Sequence, residues 1–132
     1  ENMSESETGS MAWFDLTVAN AKHVSEFYTS VVGWQSSPIS MGEYDDYAML
    51  TPDSKTAVAG VCHATGVNKD LPAQWMLYIK VDDLDASLAQ VVKLGGSVLT
   101  PVKKLSENSR YGVIKDPAGA VCAIYDETDL NK

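Results

Sequence analysis

AWFDLTV (residues 12–18) and WMLYIKV (75–81) are two alternating apolar stretches, each followed by a polar residue and a helical pattern, and they stand 63 positions apart. The same offset lays Val18 on Val81, Gly33 on Gly96, Pro38 on Pro101, Asp53 on Asp116, Ala57 on Ala120 and Val58 on Val121, with no gap. The Gly, Pro and Asp-turn positions fall between matching hydrophobic patterns. A supersecondary unit too small to close its own core, written twice, is the natural reading.

Working outward, Asn20 is placed to cap a helix over 21–32, with Val24, Phe27, Tyr28 and Val31 as its apolar face and Gly33 as its end. Strands are expected near 35–41, 44–51 and 57–63, with turns at Gly42 and Pro52-Asp53-Ser54. The turn-rich stretch 64–74 reads as a linker. In the second copy, Asp83 caps a helix over 84–94 with Leu84, Leu88, Val91 and Val92 inward. Strands follow near 97–104, 110–115 and 120–126. The architecture is thus α+β, two βαβββ modules at 12–63 and 75–127, after a disordered acidic tail over 1–11.

The chain has 132 residues and a formal charge of −8, which speaks against nucleic acid, whose phosphates call for Lys and Arg. No run approaches the roughly 18 apolar residues of a membrane helix, so no membrane partner is expected. Cys62 and Cys122 lie inside apolar strands, as reduced thiols in a cytoplasmic protein would.

Three segments carry a family resemblance: WFDLTVANAKHVSEFYTSVVGW (13–34), with its Phe27-Tyr28 and Gly33-Trp34 pairs; KVDDLDASLAQVVKLGG (80–96); and KDPAGAVCAIYD (115–126). Together they resemble the vicinal oxygen chelate superfamily of glyoxalases, extradiol dioxygenases, fosfomycin-modifying enzymes and bleomycin-binding resistance proteins, over about 12–126. The resemblance implies an eight-stranded cup with the ligand inside. In the metal-dependent members, His and Glu reach into that cup from the first and last strand of each module. Carried onto this chain, those four slots hold Trp13, Gly60, Met76 and Ala123. None offers an imidazole or a carboxylate, so no metal and no other cofactor is expected.

Period-two alternation puts Trp13, Asp15 and Thr17 on the cup side of the first strand, with Phe14 and Leu16 under the helices. Met76, Tyr78 and Lys80, then Val121, Ala123 and Tyr125, and Val58, Gly60 and Cys62 follow from the other three strands. The candidate ligand pocket is therefore Trp13, Asp15, Cys62, Met76, Tyr78, Lys80, Ala123 and Tyr125. Asp15 is the one candidate general base, or else an acid paired with Lys80 or Arg110 or lying near the rim. His63 is assigned a capping role or a structural hydrogen bond, and His23 the surface. Cys62 and His63 are neighbours on a strand and point to opposite faces, which denies them a dyad.

These residues leave three functions open. The first is metal-free binding of a small organic molecule, of the resistance type. The second is a glyoxalase-type lyase or dioxygenase-related enzyme with a metal on non-standard ligands. The third is a non-catalytic scaffold. A homodimer is expected in each case, because each module leaves sheet edges to cover.

Overall fold

The computed structural model describes residues 7–128. The described residues divide into two compact units, one holding Phe14–Trp75, the other residues 76–128 together with 7–13. Among the described residues, no helix is long and apolar enough to cross a membrane.

The first unit runs β1 (Met11–Val18), α1 (Ala21–Val32), β2 (Gln35–Ser40), β3 (Asp45–Leu50) and β4 (Ala57–His63). Its strand order is β2-β3-β4-β1, antiparallel except for the parallel β4–β1 pair. The Asn20 side chain accepts the His23 N–H at 3.2 Å, and Gly33 closes α1 at φ 82°, a left-handed conformation that glycine adopts without strain. Ala21, Met49, Ala59 and Val61 are buried, with Val18, Val24, Tyr28, Trp34, Tyr47 and Trp75 packed against them.

The buried stripe of α1 differs from the expected one. Phe27 and Val31 are 54 % and 62 % exposed. The inward residues are Ala21, Val24, Ser25 and Tyr28, at 3–1–3 spacing. Small residues at 21 and 25 let the helix approach its sheet closely, and the Ser25 hydroxyl is satisfied by the Lys22 carbonyl at 2.7 Å.

The second unit runs β5 (Trp75–Lys80), α2 (Leu84–Lys93), β6 (Ser97–Val98), β7 (Lys103–Ser106), β8 (Ser109–Lys115) and β9 (Val121–Glu127). β5 and β9 are parallel, β9 and β8 antiparallel, and both β6 and β7 pair with β8. The 63-residue offset survives at the level of register. Asp15 faces Gly60 and Tyr78 faces Ala123; Thr17 faces Cys62 and Lys80 faces Tyr125.

Among the described residues nine strands replace the expected eight, because 97–104 is not one strand. Val98 faces Ile114 but Lys103 faces Tyr111, so five steps on one side answer to three on the other. Pro101 has no N–H for the ladder, and the Thr100 hydroxyl instead accepts the Val113 N–H at 3.1 Å.

Asp126 anchors α2. It accepts the Leu84 N–H at 2.7 Å and both Arg110 Nε and a terminal guanidinium nitrogen at 3.1 Å. Of the expected inward residues of α2, Leu84 is buried and Leu88 packs over Gly112, while Val92 is exposed.

The expected tail over 1–11 is corrected where it can be seen. The Gly9 N–H donates to the Lys80 carbonyl at 2.8 Å, the Lys80 N–H donates to Ser10 at 3.0 Å, and β1 begins at Met11. Residues 1–6 lie outside the described residues. The stretch expected as a linker holds a short helical turn at Gly66–Asn68 and belongs to the first unit.

Candidate functional site

In the first unit the strand face away from α1 collects the polar chemistry. Parallel pairing sets Asp15 beside Gly60 and Thr17 beside Cys62. A Cβ on residue 60 would run into Asp15 Oδ1, so the glycine is what lets this carboxylate lie across β4. Antiparallel pairing of β3 with β4 sets Ala48 opposite Gly60, which brings Asp46, two residues earlier, to the Cys62 end of the same face. Burial pushes the Cys62 thiol up, and the nearby Asp15 and Asp46 carboxylates push it further. The thiol is therefore neutral at physiological pH, a weak donor and not a nucleophile.

Asp46 also receives the His63 backbone N–H at 2.9 Å, and the His63 ring packs on Tyr44 with centroids 5.1 Å apart. The bond that ties His63 to Asp46 is thus made by its backbone and not by the imidazole expected to make it, whose Nδ1 stands 3.6 Å from Asp46 Oδ1; His23 is exposed on α1, as expected. Sequence reasoning missed Asp46 and Tyr44. The signal for Asp46 was its place on a strand of alternating character, which only the register with β4 turns into a position beside Cys62.

On the equivalent face of the second unit, Met76, Tyr78, Ala123 and Tyr125 are all buried, and Tyr78 stacks at a tilt on Tyr111 with centroids 5.5 Å apart. Lys80 pairs with Glu127 at 2.8 Å, and Arg110 with Asp126 and Asp85. Trp13 is half-buried on β1, two residues before Asp15. Both cysteines are free thiols.

These residues do not fit the family's metal. Met76 and Ala123 supply no hard donor, Trp13 supplies none, and the space a side chain at 60 would use holds the Asp15 carboxylate. Among the described residues, no three His, Cys, Asp or Glu side chains converge as a metal site would require.

A recess of about 290 Å³ in this unit is lined by Phe14, Trp34, Val58, Ala59 and Trp75. Trp34 and Trp75 meet edge to face at 5.8 Å, and the Trp75 indole N–H donates to the Tyr28 hydroxyl at 3.1 Å.

This fold, two register-matched βαβββ units with a polar strand face and emptied ligand slots, defines a vicinal oxygen chelate protein. The sequence profile of the glyoxalase-like domain matches residues 11–125, and the chain belongs to that family. It is 32 % identical over 124 residues to CFP32 of Mycobacterium tuberculosis (strain CDC 1551 / Oshkosh), a protein provisionally named a glyoxylase; the match covers 92 % of this chain and 47 % of the relative. It is 30 % identical over 128 residues to the anthracycline biosynthesis protein DnrV of Streptomyces peucetius, covering 89 % and 46 %. The chain thus spans about half the length of these relatives. Among solved structures, a methylmalonyl-CoA epimerase in complex with methylmalonyl-CoA shares the fold at TM-score 0.59 and 14 % identity, covering 93 % of this chain and 100 % of that one. A glyoxalase/bleomycin resistance protein/dioxygenase superfamily member from Vibrio splendidus 12B01 does so at 0.56 and 11 %, covering 87 % and 97 %.

Proposed function

We propose that this chain is a metal-independent binding module of its family, taking a small neutral or cationic organic molecule on the strand face that carries Asp15, Thr17, Asp46 and Cys62. The observation that carries this reading is the Asp15 carboxylate lying across Gly60. Two carboxylates on one face accept hydrogen bonds from ligand hydroxyl or ammonium groups. They repel an anion, which disfavours a ligand such as the methylmalonyl-CoA of the epimerases, and the chain charge of −8 acts in the same sense. The name of the Streptomyces relative, from the biosynthesis of an organic natural product, agrees with a small-molecule role.

Asp15 is the group that would act as a base if the module were an enzyme. A cytoplasmic, homodimeric protein completes the proposal. Two free cysteines support the first point, and the exposed Phe27, Val31 and Val32 of α1 support the second. Light scattering should give twice 14.3 kDa; a monomer would remove the dimer from the reading.

The test of binding is a thermal-shift screen of neutral, cationic and anionic small molecules on the wild type and on Asp15→Asn, which keeps the shape and loses the charge. Neutral and cationic hits should fade in the variant. Hits that are anionic, or that ignore the substitution, would overturn the reading.

A further inference from the structure

We propose that a second ligand site, separate from the Asp15 face, lies in the groove beside α2 and binds an organic cation with an apolar body. The groove has a volume of about 520 Å³, within the range of small-molecule sites. One wall is a complete face of α2. Asp83, Ala86, Ser87, Gln90, Val91 and Leu94 line it at alternating 3- and 1-residue spacing, so the contact follows the helix for about 16 Å at 1.5 Å per residue. The facing wall is Ile114 and Pro117, and Gly96 forms the floor. Gly96 is needed there, since a Cβ would strike the Lys115 carbonyl and Val91. Ala86, Gln90 and Leu94 are exposed, Leu94 at 68 %, so this helix face has no covering within the unit.

Charge selects the occupant. Asp82, Asp83 and Asp116 all line the groove. Each spends one oxygen on local structure: Asp82 Oδ1 on the Thr8 hydroxyl, Asp83 Oδ1 on the Ala86 N–H, and Asp116 Oδ1 on the Ala118 and Ala120 N–H groups. Among the described residues no Lys or Arg pairs with any of them, while Lys80 and Arg110 are engaged elsewhere in the unit. Three carboxylates without counter-ions around apolar walls favour a molecule that brings a positive charge and an apolar surface together. A neutral apolar molecule gains the walls alone, and an anion is repelled.

The test uses the full chain and a planar amine, proflavine, followed by fluorescence, with uncharged phenazine as the comparator. One saturable proflavine site per chain is expected, with phenazine at least about 10-fold weaker and proflavine binding weakening from about 0.02 M to about 0.5 M salt. The triple variant Asp82→Asn, Asp83→Asn, Asp116→Asn keeps each acceptor oxygen and each cap, and should bring proflavine down to the phenazine level. Ala86→Trp fills the groove and should remove both ligands. If that variant does not fold, the triple variant decides. Absence of saturable proflavine binding, parity with phenazine, or undiminished binding to the triple variant overturns the proposal. Loss of proflavine in Asp15→Asn alone would place the amine on the strand face and overturn it as well. A failed thermal-shift screen at the Asp15 face leaves this result independent.

Discussion

Gly60→Ala tests the geometry of the strand face directly. A methyl at residue 60 lands on Asp15 Oδ1, with the Asp15 carboxyl carbon and Cys62 Sγ next nearest, at 3.4 and 3.7 Å. The carboxylate must swing away, or β1 must part from β4 at the pair Asp15–Gly60. Forcing one extra carbon into a filled space costs about 1–3 kcal/mol, and a short side chain that can turn about two bonds keeps this near the lower end. Against that, alanine in a strand gains about 0.5–1 kcal/mol over glycine through the unfolded chain. A net loss of about 0.5 kcal/mol is expected for Gly60→Ala alone. In an Asp15→Ala background the clash is gone, and the same substitution should be neutral or stabilising. The predicted coupling is therefore about 1–2 kcal/mol. Urea unfolding followed by tryptophan fluorescence on the four proteins of the cycle measures it. Additivity within about 0.5 kcal/mol would refute the claim that Asp15 occupies the Gly60 space.

Three further outcomes follow from the same contacts. Burial would raise the Asp126 pKa, but its bonds from Arg110 and the Leu84 N–H outweigh that and hold it below the ordinary 3.8. A depressed folded value means that its stabilisation is present above pH 3.8 and is lost as pH falls below it through the folded value; Asp126→Asn should cost about 1–2 kcal/mol at pH 7 and flatten that acid slope in urea titrations. Cys62, whose thiol is raised by burial and then by Asp15 and Asp46, should react with a disulfide reagent at pH 7 at least about 100-fold more slowly than in the unfolded chain. Asp15→Asn should speed it, and equal rates in folded and unfolded protein would contradict the placement. Tyr28→Phe strands the Trp75 indole N–H and should cost about 0.5–1.5 kcal/mol, whereas a Tm unchanged from wild type would show that bond to be idle.

Much of the fold was legible because punctuation and periodicity are local signals. Asn20, Gly33 and Asp83 cap where they were read to cap, and the parallel β4–β1 and β9–β5 pairs keep the 63-residue offset in their register. What failed depended on partners. Phe27 and Val31 fit a helical stripe as well as Ala21 and Ser25 do, and only the close approach of α1 to its sheet chooses the smaller pair. Pro101 announced a break, yet the hydroxyl of Thr100 that bridges it belongs to a contact with Val113, thirteen residues on. At the candidate site, Asp15 and Cys62 were legible from alternation alone. Asp46 was not, because its place beside Cys62 depends on how β3 pairs with β4, a register that shifts between Met49 and Leu50.

The central claim is metal-independent binding at the Asp15 face. Its most direct test is calorimetric titration of a hit from the small-molecule screen into the protein, first after exhaustive chelation and dialysis, then with added Zn²⁺, Ni²⁺, Mn²⁺ or Fe²⁺. The account predicts one affinity throughout, lost in Asp15→Asn. Binding that vanishes with the chelator and returns only with a divalent metal would contradict it.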